Sequence, residues 1–263
     1  MKDDLIRGII GDGFITEILV TAFAKNVTIG KNLSNLYIAC RSKERRDYFR
    51  ENYNIKAVTD ANIFLPKVKV LILAFQTGED CEKIISEIAP VVPKGTLIIS
   101  CTYGLKIAAL EKFFPNSPVI RIVMNPTIVT GNGICVYCVG SVNPTDSEAI
   151  AQLILTQVGE TIKMSSEEEL ELAAELILSG TIFSFAVANV LTACGVKNNL
   201  PVDKSTKIIS QILSGVAKTV ADSDDTVKSI LKGLQNQNKF FERGKTLIEK
   251  YKILQSIQDS VRV

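Results

Sequence analysis

The chain of 263 residues contains no histidine and no tryptophan, and only three methionines. The missing imidazole excludes Ser-His-Asp and Cys-His nucleophile systems, and with them any His-ligated zinc or haem. Acid–base work falls instead to Lys, Asp, Glu, Tyr, Cys, hydroxyl groups or water. A charge excess is also missing: the net charge is +2, too small for a general nucleic-acid or membrane-surface binder. No uninterrupted apolar run reaches the roughly 18–20 residues that span a bilayer, so no membrane partner is expected. "MKDDLIRGIIG" carries Asp3 and Asp4 and enters a strand directly, unlike a signal peptide, which makes the cytoplasm the expected location.

Six cysteines are scattered along the chain. In a cytoplasmic protein they read as buried thiols. Cys135 and Cys138 form a C-x-x-C, but within "GICVYCVG", a strand pattern in which residues three apart point to opposite faces. No metal site is expected. "GKT" at Gly244–Thr246 is no phosphate loop, because Lys239 stands where the loop needs glycine.

What is present falls into two halves with different periods. Through about residue 163, short apolar runs alternate with amphipathic stretches, the signature of βαβ units. "IRGIIG", "LYIAC", "VKVLILAF", "TLIIS", "VIRIVM" and "GICVYCV" read as strands, with helices between them. The expected fold class is α/β: a Rossmann-type, doubly wound, mostly parallel sheet over residues 1–163. From residue 164 to residue 263 no strand pattern remains. "SSEEELELAAELILSGTIFSFAVANVLTACGV" is one long helix whose second half, Thr181 to Val196, is apolar nearly all round. The second half is therefore an all-helical domain, and burial in a homodimer, or a higher homo-oligomer built through these helices, would cover that face.

Gly11-x-Gly13 follows the first strand and opens a helix, the context a dinucleotide fingerprint needs. Gly11 permits the tight turn, and Gly13 lets a diphosphate approach the helix N-terminus. Thr16 fills the third small position, which predicts a weaker turn. Asp12 is expected to face solvent, and Glu17 to favour the helix dipole. The second strand ends in "CRSKERR" rather than an acid. Arg41, Ser42 and Lys43 are placed to contact a 2′-phosphate, with Arg45 close by and Arg46 on a solvated helix face, so NADP(H) is expected over NAD(H).

Several segments together resemble pyrroline-5-carboxylate reductases. "SPVIRIVMNPTIVTGNGICVY" is similar to that family's V-I-R-V-M-P-N-T-P segment. "ISCTYGLKIAALEKFF" resembles its S-x-A-A-G…LEK, "VLILAFQTGED" its A-V-K-P-Q strand end, and "ACRSKER" its N-R-S-x-E-R. "ELILSGTIFSFAVANVLTACGVKNNLP" resembles its L-S-G-S-G-P-A-Y helix and the following G-V-K-x-G-L-P turn. The similarity runs from about residue 5 to about residue 220. It implies a Rossmann domain joined to a helical dimerisation domain, and reduction of a C=N bond, in that family from 1-pyrroline-5-carboxylate to L-proline, by NAD(P)H. It places cofactor contacts on Gly11, Gly13, Phe14, Ile15, Thr16, Arg41, Ser42, Asn62, Ala74, Phe75 and Gln76, and the nicotinamide side on Ser100, Thr102, Tyr103 and Gly104. The polar groups it implies near the reacting centre are Asn125, Ser179, Thr181 and Thr226.

The departures concentrate on the substrate. The family's S-P-G-G-T-T loop is replaced by "ADSDDTVKSILKGLQNQNK", which has no proline, no Gly-Gly pair, and only Thr226 as a hydroxyl near the right place. Thr181 replaces the proline of S-G-S-G-P, and Ile177-Leu178 replaces its first Ser-Gly. Two functions follow as expectations: an NADPH-dependent imine reductase, or a paralogue of the same fold that has another substrate or is a non-catalytic, nucleotide-binding dimer.

Overall fold

Four of the apolar runs become strands covered on both faces: β1 (Arg7–Ile10), β4 (Val70–Leu73), β5 (Leu97–Ser100) and, apart from the half-buried Val123, β6 (Val119–Met124). Strands of this kind need helices on either side of a parallel sheet. In the computed structural model, residues 5–25, 33–75, 80–142, 145–223, 226–235, 246 and 252 are described. The chain divides into two units, Met1–Ile177 and Leu178–Val263.

The first unit holds an eight-stranded sheet in the order β3-β2-β1-β4-β5-β6-β7-β8. It adds β2 (Leu36–Ala39), β3 (Lys56–Val58), β7 (Gly133–Val139) and β8 (Gly159–Lys163). Strands β1 to β6 run parallel, β7 runs antiparallel to β6, and β8 runs parallel to β7. The two edge strands, β3 and β8, are absent from the sequence reading. Ala57 is the one buried residue of β3, and β8 has none, so neither presents the apolar pattern by which the central strands are recognised.

Helices α1 (Phe14–Lys25), α2 (Lys43–Tyr53) and α5 (Thr145–Leu155) cover one face. There Leu19, Phe23, Phe49 and Ile154 pack with Ile9, Ile38, Val70 and Cys135. Helices α3 (Asp80–Ile88) and α4 (Ile107–Phe113) and the start of α6 (Glu167–Lys197) cover the other. Ile85, Leu110 and Leu170 pack there with Leu71, Ile98, Val136 and Cys138. Cys135 and Cys138 thus belong to opposite core layers, as strand alternation requires.

Helix α6 begins where Ser166 accepts a hydrogen bond from the Glu169 N–H (3.2 Å) and Glu169 accepts one from the Ser165 N–H (2.6 Å). Its first turns belong to the sheet unit. Arg121 of β6, 1% exposed, forms ion pairs with Glu167 (3.0 Å) and Glu171 (2.6 Å). The division between units accordingly falls inside α6, at Ile177/Leu178, rather than at 163/164 before it.

The second unit holds the rest of α6, then α7 (Val202–Asp222) and α8 (Val227–Gln235). Helices α6 and α7 meet where Gly195 faces Ser205, whose hydroxyl donates to the Thr192 carbonyl (2.9 Å). A Cβ at Gly195 would lie 2.0 Å from the Ser205 oxygen, so only glycine fits. Within one chain, Ile182, Phe185 and Val190 are 70%, 60% and 59% exposed. Helix α6 is long and apolar enough to cross a membrane by length and composition alone, although no uninterrupted apolar run in it reaches that length. Ser179, Thr181, Ser184 and Asn189 interrupt its apolar residues without adding charge.

Candidate dinucleotide site at the carboxyl edge of the sheet

The strand order reverses between β1 and β4, and the carboxyl ends of the parallel strands there open onto one edge. Ligands bind at such a switch point in open α/β sheets. Gly11 follows β1 with φ 120°, and a Cβ there would lie 2.3 Å from the Ala74 carbonyl oxygen. The turn and the β4 end therefore approach each other at a distance only glycine permits. At Gly13 a Cβ would meet nothing within 4 Å, which leaves open space at the N-terminus of α1. Open space beside unpaired helix N–H groups fits a diphosphate. Phe14 is exposed and Ile15 half-buried beside it.

Thr16 is fully buried, and its hydroxyl donates to the Gly11 carbonyl (2.8 Å). Its polar atom is satisfied within the turn, and the extra bulk is accommodated.

Both acids have partners across the turn. Asp12 is half-buried, and its carboxylate accepts from the Arg41 backbone N–H at 2.9 Å in an exposed hydrogen bond. Glu17 is paired with the Arg45 guanidinium (3.0 Å) and accepts from the Tyr48 hydroxyl (3.0 Å). Arg45 also donates to the Asp12 carbonyl (2.7 Å) and lies over the Tyr48 and Phe49 rings. Arg46 is not simply solvated, since it donates to the carbonyls of Cys40 and Arg41, each at 3.3 Å. Both of these guanidiniums therefore brace the β2–α2 turn. Arg41 and Lys43 are exposed, and Ser42 caps α2 by accepting from the Arg45 N–H (3.2 Å). Burial, assisted by Asp12, pushes the Cys40 thiol up to about 11, so it stays neutral at the floor of this turn.

At the β4 and β5 ends, Ala74 is buried and its N–H donates to the Ile10 carbonyl (2.9 Å), with Phe75 half-buried after it. Gln76 lies outside the described residues. Ser100 and Thr102 are buried. The Thr102 N–H donates to the Ser100 hydroxyl (3.3 Å), and the Thr102 hydroxyl to the Leu73 carbonyl (3.4 Å). Both thus shape the loop. Gly104 closes that loop with φ 78°. Tyr103 is half-exposed, and its hydroxyl donates to Glu175 of α6 (3.3 Å). Burial, then the Glu171 and Glu175 carboxylates, push the phenol above its ordinary range, so it stays protonated at neutral pH. The sequence gives no hint of this pairing, since 72 positions separate the two residues.

Asn62 is exposed, in a short turn beyond β3, where its N–H donates to Asp60 (2.9 Å). Asn125 follows β6 at the same carboxyl edge. Its side-chain oxygen accepts from the Thr127 hydroxyl (2.8 Å) and the Ile134 N–H (3.1 Å), which ties the β6–β7 connection together. Ser179 and Thr181 are half-buried residues of α6 in the second unit. Thr226 is exposed and caps α8, its hydroxyl accepting from the Ser229 N–H (3.2 Å).

The sheet order, the glycine turn and the strand-end residues together define a dinucleotide-binding Rossmann fold. Residues 7–104 match the family model described as NADP oxidoreductase coenzyme F420-dependent. The chain is 24% identical over 234 residues to the pyrroline-5-carboxylate reductase of Corynebacterium melassecola, covering 87% of this chain and 84% of that protein. It is 27% identical over 175 residues to pyrroline-5-carboxylate reductase 2 of Pongo abelii, covering 65% of this chain but only 52% of that protein. The pyrroline carboxylate reductase of Plasmodium falciparum, solved with NADP bound, superposes with a TM-score of 0.87 at 19% identity over 98% of this chain and 95% of that one. At low identity, the chain is thus similar to pyrroline-5-carboxylate reductases over most of its length.

Proposed function

We propose that this protein is an NADPH-dependent reductase of a C=N substrate. The observation that carries this reading is the open cradle at Gly13, set between the Gly11–Ala74 approach and the exposed cations of the β2 end. Gly11, Gly13 and the first turn of α1 would hold the diphosphate through backbone N–H groups. Arg41, Ser42 and Lys43 would hold the 2′-phosphate. When bound, the reduced nicotinamide supplies a hydride.

This chain's own task at the reacting end is to orient and to exclude water. Ala74, Thr102 and Gly104 are small residues at the strand ends, with Ala74 and Thr102 hydrogen-bonded in place, and the nicotinamide ring would lie against them. Tyr103, held by Glu175, supplies a protonated phenol beside that edge. An iminium carbon is already electrophilic, so the absence of histidine is no obstacle. Asn125, Ser179, Thr181 and Thr226 remain the proposed polar groups of the substrate side. Exposed apolar residues of α6 and α7 would be covered by a second copy of the chain, in a cytoplasmic homodimer.

A second reading keeps the nucleotide and changes the substrate. Its support is Thr226, which serves as a helix cap in a segment with no Gly-Gly turn. Steady-state oxidation of NADPH with 1-pyrroline-5-carboxylate tests the choice, with other cyclic imines in parallel. Turnover of the first compound supports the family reaction. NADPH binding with turnover only of another imine supports the second reading, and binding without any turnover supports a regulatory dimer.

A further inference from the structure

We infer that Asp12 is a cofactor-specificity residue that acts against Arg41 and narrows the preference for a 2′-phosphorylated dinucleotide. This rests on the dinucleotide reading above. Four cations, with the carboxylates of Asp12 and Glu17, crowd the turn after β2 and determine what it can bind. Two of the cations are committed internally: Arg45 to Glu17, to the Asp12 carbonyl and to two aromatic rings, and Arg46 to the carbonyls of Cys40 and Arg41. That leaves the exposed Arg41 and Lys43 for an incoming phosphate. Against them stands the Asp12 carboxylate, which reaches across from the glycine turn and takes the Arg41 N–H at 2.9 Å.

The end of the second strand is where dinucleotide folds read the 2′ substituent of the adenosine ribose. Folds that take the unphosphorylated form place a carboxylate there to accept the ribose hydroxyl, and folds that take the phosphate place cations there. This chain presents both. The cations come from the β2 end itself, whereas the acid comes from the middle of the glycine turn, 29 positions earlier. The carboxylate removes a backbone donor that a phosphate oxygen would use, adds repulsion toward a dianion, and offers an acceptor to a free hydroxyl. Each effect lowers affinity for the phosphorylated nucleotide relative to the other.

Isothermal titration of the full-length protein with NADPH and with NADH tests this, using the wild type, Asp12→Asn and Asp12→Ser. Asparagine keeps an oxygen to accept the Arg41 N–H but removes the charge. Asp12→Asn is expected to tighten NADPH binding by about tenfold while NADH binding stays level or weakens, the order expected for removing one charge from beside a dianion in a hydrated site. The difference between wild type and variant is expected to shrink as salt is raised. Asp12→Ser repeats the test should the asparagine variant fold poorly. An unchanged NADPH-to-NADH affinity ratio in variants that melt like the wild type overturns the inference and leaves the reductase reading intact. Binding of neither nucleotide by the wild type overturns both.

Discussion

At the residue scale, the site rests on side chains whose replacement has different consequences. Gly11 is needed for its backbone and for the absence of a Cβ. Gly11→Ala would place a methyl group 2.3 Å from the Ala74 oxygen at a φ of 120°. We expect a loss of about 1–3 kcal/mol in urea unfolding, together with loss of NADPH binding by titration. Gly13→Ala meets no protein atom within 4 Å, so it is expected to unfold like the wild type and to lose nucleotide affinity alone. The glycine turn and the cationic β2 end were legible in the sequence because each is a local motif. The Asp12–Arg41 and Glu17–Arg45 bonds were not, because they join residues on two separate βα turns that only the sheet brings together. Thr16 looked like a defect because a fingerprint records size. The structure turns its hydroxyl inward onto Gly11.

At the element scale, the first turns of α6 are fastened to the sheet by a buried cation. Removing Arg121 would leave Glu167 and Glu171 one turn apart without their counter-charge, yet still 22% and 34% exposed. Arg121→Met is therefore expected to cost about 2–3 kcal/mol by urea unfolding, somewhat less than breaking a fully buried pair. The same helix start makes an acid-side prediction. Hydrogen bonds from the Ser165 N–H and side chain hold Glu169 below its ordinary 4.5. A carboxylate whose folded value is depressed stabilises the fold above the unfolded value, and that stability is lost as pH falls through the folded one. Chemical denaturation between pH 6 and about pH 3 is expected to show this slope, and Glu169→Gln to flatten it. The central strands and the long helix were legible from apolar runs and a helical period. β3 and β8 were not, because an edge strand with one buried residue, or none, carries no such pattern.

At the scale of the whole molecule, the chain joins a sheet unit with a buried core to a helical unit whose described apolar residues are largely exposed. Ile182 and Phe185 of α6, with Ile208, Ile212 and Val216 of α7, are exposed in one chain. Exposed apolar area of this kind is costly unless covered, and in the proposed homodimer a second copy would cover it by symmetry. Phe185→Asp is expected to shift sedimentation from dimer to monomer without altering nucleotide affinity. A wild type that sediments as a monomer, or partitions into membranes through α6, would refute that cover. The described residues proposed for the nucleotide all lie within the first unit, so the departure from the family's glycine-rich loop would bear on the proposed substrate side.

In the proposed function this edge holds a 2′-phosphorylated dinucleotide through Arg41. Calorimetric titration of the wild type and Arg41→Ala with NADPH and NADH tests that role. The wild type is expected to bind NADPH more tightly than NADH, and the variant to lose about tenfold or more in affinity for NADPH alone. Equal losses for both nucleotides, or binding of neither by the wild type, would contradict it.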